Sequence, residues 1–254
     1  MIRLENITKR YPAAHGPEEH EALAHVDLTV APGELVCLLG PSGCGKTTLL
    51  NLAAGFVHPT AGRVRFDGRP VDGPGPERGV VFQEATLFPW LTVRGNVEFG
   101  LRRLGIPADE RSGRAQDALR LVGLAGFEKA YPHALSGGMR QRAALARVLV
   151  LEPKALLMDE PFGALDANSR ERLQDELLRI WQARRRTVLF VTHSVEEAAY
   201  LADRVVLLGP PPRSLRGEVI VELARPRDRA GDGLRRVTRG LRSLLDEMPC
   251  CLPE

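Results

Sequence analysis

Eight residues, Gly40-Pro41-Ser42-Gly43-Cys44-Gly45-Lys46-Thr47, fit the pattern G-x-x-x-x-G-K-[ST] at every fixed position. Such a run binds anions. Its glycines let the backbone curl until successive N–H groups aim at one phosphate, helped by the positive end of a following helix. Lys46 is placed to reach β- and γ-phosphates, and the Thr47 hydroxyl to ligate Mg²⁺. A nucleoside triphosphate is the ligand predicted. Asp159 and Glu160 end the apolar run Ala155-Leu156-Leu157-Met158, where carboxylates suit a magnesium ligand and a group that polarises water. Gln83 and His193 end two further apolar runs, Val80-Val81-Phe82 and Thr187-Val188-Leu189-Phe190-Val191-Thr192. A single Gln or His at a strand end is usually structural. Three strand ends that all offer polar side chains favour catalysis.

A second anion site is written into Leu135-Ser136-Gly137-Gly138-Met139-Arg140-Gln141-Arg142. Ser136 is a natural N-cap, and two glycines follow where a helix should begin. Each glycine costs about 1 kcal/mol of helix propensity relative to alanine, so their presence suggests that something approaches the backbone closely. Lys46 and its loop already serve this chain's own phosphates. The second site therefore implies the nucleotide of a neighbouring molecule.

The elements that must carry these groups follow from periodicity. Glu34–Leu39 reads as a buried strand and Thr48–Ala53 as the start of a helix, which brackets the glycine-rich loop. Ile2–Ile7 and Leu23–Val30 alternate apolar and polar as antiparallel strands do. Helical spacing covers Thr92–Leu104, Asp109–Leu121 and Gly137–Leu151, with Pro107 and Pro132 between them. That predicts an inserted helical subdomain over about 84–152, a core from 1–83 and 153–210, and a domain limit near 230. Beyond it, 231–254 reads as a helical extension: Asp232 caps a helix with Leu234, Val237, Leu241, Leu244 and Met248 on one face and Arg235, Arg236, Arg239 and Arg242 on the rest. Aromatics are only 5% of the chain, yet Leu87-Phe88-Pro89-Trp90 concentrates two of them. They either anchor a core or form a docking surface. Tyr11 either packs or stacks on a nucleotide base.

Bulk properties remove several classes. The 254 residues, 44% hydrophobic and 26% charged, are ordinary for a soluble globular protein, and a net charge of +3 makes no case for a nucleic-acid partner. There is no apolar run of membrane-spanning length and no secretion signal at the N-terminus, so the expected place is the cytoplasm. Cys37, Cys44, Cys250 and Cys251 have no metal-ligand spacing and suggest no disulfide framework. Cys44 reads first as a small filler, although a helix N-terminus can lower a thiol pKa.

Taken in order, these motifs resemble the nucleotide-binding subunit of an ABC transporter, from Tyr11 to about Arg227. The resemblance implies an α/β fold: a P-loop NTPase (RecA-like) core with an N-terminal antiparallel β layer and an inserted helical subdomain. It implies base stacking for Tyr11, and ATP phosphate and Mg²⁺ binding for Gly40 through Thr47 and Thr48. The resemblance further implies that Gln83 contacts the metal and attacking water and signals to the membrane subunit. Leu135, Ser136, Gly137, Gly138 and Gln141 look like the signature loop that closes on the other subunit's γ-phosphate, with Met139 in place of the usual Gln. By the same match Asp159 is a magnesium-sphere carboxylate, Glu160 the general base, Asp166 the dimer-loop aspartate and His193 the switch histidine. Gly73–Gln83, Leu87–Trp90, Pro161–Asp166 and Leu223–Arg227 are similar to importer subunits for taurine, alkanesulfonates, nitrate and related anions, most of all the taurine type. The expected partners are a second copy, integral-membrane permease subunits near Phe88, Pro89 and Trp90, and a periplasmic substrate-binding protein. The expected place is the cytoplasmic face of the bacterial inner membrane. A soluble ABC-type ATPase outside transport is the alternative class; it calls for a coiled-coil insertion, a tandem repeat or a strongly basic surface, none of which the sequence has.

Overall fold

The computed structural model describes residues 1–12, 19–163 and 165–248. In chain order these form β1 (Ile2–Pro12), β2 (Glu19–Val30), β3 (Leu35–Leu39), α1 (Lys46–Ala54), β4 (Ala61–Phe66), β5 (Arg69–Pro70), β6 (Arg78–Val81), α2 (Val93–Arg103), α3 (Ala108–Leu121), α4 (Gly137–Leu149), β7 (Ala155–Asp159), α5 (Ala167–Arg184), β8 (Thr187–Thr192), α6 (Val195–Leu201), β9 (Arg204–Leu208), β10 (Leu215–Ile220) and α7 (Asp232–Asp246). Two compact units result, 1–75 with 187–254, and 76–186. Residues 84–152 fall in the second unit together with β6, β7 and α5. Cys250 and Cys251 lie outside the described residues.

In the first unit, an antiparallel sheet runs β2-β1-β4-β5. Its register pairs Ile2 with Val30 and Leu4 with Leu28, and these four side chains are buried, as the alternation requires. The hairpin reaches further than the alternation does, because Tyr11 pairs with His20 and Pro12 with Glu19. Backbone pairing continues there without apolar side chains to announce it. Beside this sheet in sequence, β3 lies between the parallel strands β8 and β9, and β10 closes antiparallel on β9. All five residues of β3 are buried, the signature of a strand covered on both faces. The register sets Leu39 opposite Thr192, so Gly40 and His193 leave adjacent strands at the same end. Helix α7 buries Leu234 and Leu241. Its N-cap is Gly231, and Asp232, expected as the cap, is the first helical residue with no capping bond.

In the second unit, β6 and β7 are parallel with Val81 opposite Met158, so Gln83 and Asp159-Glu160 also leave neighbouring strand ends. Three helices start on a side-chain cap: Thr92 accepts from the Gly95 amide, Ser136 from Met139 and Asp166 from Ser169. Among the described residues, no helix is long and apolar enough to cross a membrane.

Candidate active site

The loop between β3 and α1 is built to receive an anion. Gly43 and Gly45 have φ of 80° and 90°, a region that glycine enters without strain. A Cβ on Gly40 would lie 2.1 Å from the Leu208 carbonyl oxygen, and one on Gly45 2.6 Å from that of Ala22. The chain itself demands glycine at both. Lys46 Nζ donates to the carbonyls of Gly40 and Pro41 at 2.8 Å each, which holds a buried ammonium against the loop. Ser42, Gly43 and Thr47 are exposed. Pro41 and Thr48 are half-buried. Cys44 is fully buried, its sulfur 3.8 Å from Lys46 Nζ, and acts as a filler. The cradle fits a triphosphate.

His193 is exposed one residue beyond β8. Tyr11 is half-buried near the end of β1, with Lys9 Nζ 4.8 Å from its ring centroid.

In the second unit, Gln83 and Glu160 converge. A Cβ on Gly163 would lie 3.7 Å from Gln83 Nε2 and 3.9 Å from Glu160 Oε2, so both side chains face the Gly163 backbone. Glu160 has φ of 41°, a left-handed conformation that costs a non-glycine residue about 1–3 kcal/mol and collects at functional sites. The turn that holds it includes a bond from the Gly163 amide to the Glu160 carbonyl at 3.1 Å. Asp159, the last residue of β7, is half-buried. Asp166 caps α5 at 2.9 Å, and that amide bond from Ser169 holds its carboxyl below the usual range.

Gly137 and Gly138 differ from the phosphate-loop glycines. Neither has positive φ, and an added Cβ would meet nothing closer than 4.0 Å at Gly137 and 3.6 Å at Gly138. Nothing inside the chain requires glycine there. Leu135 is buried below them and Ser136 is exposed. Gln141 turns inward: it is buried and donates to the Phe82 carbonyl at 3.2 Å, one residue before Gln83. The expectation grouped it with the outward contacts, yet it shares a face with Ala144, Leu145 and Val148, all buried.

The Phe88–Trp90 loop is packed at one end and exposed at the other. The Phe88 ring sits 4.5 Å from Phe99 and 5.5 Å from Trp90, while Trp90 is 70% exposed and Pro89 is exposed too. Asn96, which the periodicity did not single out, holds this loop. It is fully buried; its Nδ2 donates to the carbonyls of Phe88, Leu91 and Thr92 at 3.1 Å, and its Oδ1 accepts from the Phe88 amide at 2.7 Å. The signal was present as one polar residue between Val93 and Val97 on the apolar face of α2. Orphaned buried polar groups cost about 1–3 kcal/mol, so Asn96→Ala should lower unfolding stability in urea by about 2 kcal/mol.

Comparison with known proteins identifies the family. Residues 23–163 match the family described as ABC transporter. The chain is 53% identical to an uncharacterized ABC transporter ATP-binding protein of Methanocaldococcus jannaschii, over 90% of this chain and 85% of that protein. It is 50% identical to the taurine import ATP-binding protein TauB of Pseudomonas fluorescens, over 88% of this chain and 81% of that protein. A solved dimeric bacterial ABC transporter cassette superposes with a TM-score of 0.78 at 33% identity, covering 88% of this chain and 100% of the other. A cassette dimer in a post-hydrolysis state with ADP and Pi gives 0.76 at 32%, with the same coverage. The fold is thus the α/β P-loop NTPase fold that the motifs implied. The chain belongs to the ABC transporter family.

Proposed function

We propose that this chain is the ATP-hydrolysing subunit of an importer for taurine or related alkanesulfonates, and that it works as a pair of copies closing around two ATP molecules. One observation carries the pairing. Gly137 and Gly138 open α4 without any need for glycine from their own chain, in a protein whose own phosphates are served by Gly40–Thr47. The glycines make room for another copy's nucleotide, where helix N–H groups and the positive dipole end attract the γ-phosphate.

Within that pair, the loop amides and Lys46 bind the β- and γ-phosphates, and Tyr11 stacks on the base. Thr47, Gln83 and Asp159 offer a hydroxyl, an amide and a carboxylate, an all-oxygen set that suits a hard cation such as Mg²⁺. When bound, Mg²⁺ supplies charge neutralisation at the phosphate oxygens. Gln83 orients the water. Glu160 takes its proton as the water oxygen bonds to the γ-phosphorus and the bond to ADP breaks. His193 donates toward the γ-phosphate. Asp166 fixes the start of α5 at the contact between copies. Loss of the γ-phosphate removes the differential affinity that held the closed state, and the pair reopens.

The exposed Trp90 with Phe88 and Pro89 is the surface for the permease, on the cytoplasmic face of the cell membrane. Gln141 ties the signature helix to Phe82 and so links it to Gln83 and that surface. The taurine import proteins of Pseudomonas fluorescens and Pseudomonas putida, 50% and 51% identical to this chain, support the cargo. The test is reconstitution in vesicles with the permease and periplasmic binding protein of a taurine importer. Taurine should stimulate ATP hydrolysis. Stimulation by nitrate alone would move the cargo, and no response to any permease would remove the importer reading.

A further inference from the structure

Helix α6, Val195–Leu201, has seven residues, and isolated helices shorter than about 12 residues are marginal in water. It starts two residues after His193. Whatever fixes α6 therefore fixes that imidazole. At its start, Thr192 Oγ1 donates to Glu197 Oε2 at 2.6 Å, the Ser194 amide donates to Thr192 Oγ1 at 3.0 Å, and the Glu197 amide donates to Ser194 Oγ at 3.2 Å. His193 sits inside this closed set, between Thr192 and Ser194.

The other end depends on a distant segment. The last four carbonyls of any helix lack intrahelical partners. Here the Ala202 amide serves Ala198 at 3.0 Å, and two arginines serve the rest. Arg227 Nη1 donates to the carbonyls of Ala199 at 3.0 Å and Tyr200 at 2.9 Å, and Arg225 Nη2 donates to that of Leu201 at 2.6 Å. Arg227 also donates from Nη2 to the Val221 carbonyl at 3.2 Å and from Nε to that of Leu223 at 3.4 Å. One buried guanidinium thus joins the end of α6 to the chain that follows β10. Burial pushes its pKa down to about 10, which leaves it charged at neutral pH, and a cation is favoured at a helix C-terminus. Arg225 continues the link: it donates to Asp203 Oδ1 at 2.8 Å, and Asp203 Oδ2 accepts from the amide of Leu35, the first residue of β3. Arg229 lies 3.6 Å from the Tyr200 ring centroid, and Arg242 of α7 pairs with Glu196.

We propose that Arg227, with Arg225 beside it, is a positioning residue for ATP hydrolysis: the strap from Leu223 onward holds the far end of α6 so that His193 keeps its place beyond β8. This rests on the reading of His193 as the γ-phosphate contact. Arg227 acts through α6 and touches no substrate.

Steady-state hydrolysis by the full chain tests it. Arg227→Ala should lower kcat about tenfold with KM for ATP held within about twofold, because the phosphate loop hangs from β3 and not from α6. Arg227→Lys should recover part of the loss, since an ammonium can meet the Ala199 and Tyr200 carbonyls but not all four acceptors. In a His193→Ala background, Arg227→Ala should add nothing further. Multiplying effects would mean a general loss of stability and would overturn the strap. If Arg227→Ala does not fold, Arg227→Lys alone decides: kcat about threefold down at unchanged KM supports the strap, and wild-type kcat overturns it. A His193→Ala chain with wild-type kcat would instead sink the reading of His193. A slow His193→Ala chain beside an unaffected Arg227→Ala chain sinks only the strap.

Discussion

Glu160→Gln should bind ATP, hydrolyse it about 10²–10⁴ times more slowly, and accumulate as a closed pair of subunits. The substitution replaces one carboxylate oxygen by an amide nitrogen and leaves the volume unchanged. The turn that holds residue 160 at φ 41° rests on backbone bonds, so it survives. The side chain still faces Gly163 beside Gln83. What disappears is a proton acceptor of carboxylate basicity. On the proposed pairing, water would no longer be deprotonated, and the γ-phosphate would persist and bridge Lys46 of one copy and Ser136-Gly137-Gly138 of the other. Size-exclusion chromatography with and without ATP reads the result. A dimer that forms only with ATP is expected; a monomer that still binds ATP would refute the shared site.

Several strand ends were legible because their strands are buried on both faces. Leu35–Leu39, Ala155–Met158 and Val188–Val191 are unbroken apolar runs, and each strand ends at or one residue past its run. One helix was legible through its start, Ser136 before two glycines, while the caps Thr92 and Asp166 emerge only from the bonds they accept. Other features carry no local mark. Strand β5 has two residues, Arg69-Pro70, and exists only because β4 pairs with it. The outer part of the β1–β2 hairpin pairs Tyr11 with His20 across polar residues, where alternation stops but backbone bonding does not. Arg225 and Arg227 look like solvated charges in a proline-containing tail; only the fold brings them to carbonyls near residue 200. Gln141 was readable in principle, because its period-mates 144, 145 and 148 are apolar.

Gly45→Ala and Gly138→Ala should fail in opposite ways, and the contrast separates what the fold needs from what the pair needs. At Gly45 the φ of 90° costs an L-residue about 1–2 kcal/mol. The new methyl would also sit 2.6 Å from both the Ala22 carbonyl oxygen and Leu23 Cδ2, and the backbone atom cannot rotate away. The loop must shift, so Gly45→Ala should lose both stability and ATP affinity as a monomer. At Gly138 the nearest atom to a new Cβ is Leu165 Cδ2 at 3.6 Å, an ordinary contact, and alanine is the better helix former by up to about 1 kcal/mol. Thermal unfolding and ATP binding of Gly138→Ala should therefore match or exceed the parent. Its hydrolysis should fall at least about tenfold, and in the Glu160→Gln background ATP should no longer drive dimer formation, because the methyl occupies the approach to the helix amides that an oxyanion needs. A Gly138→Ala, Glu160→Gln chain that dimerises normally with ATP would leave the two glycines without a partner to explain them, and the shared site would have to be given up.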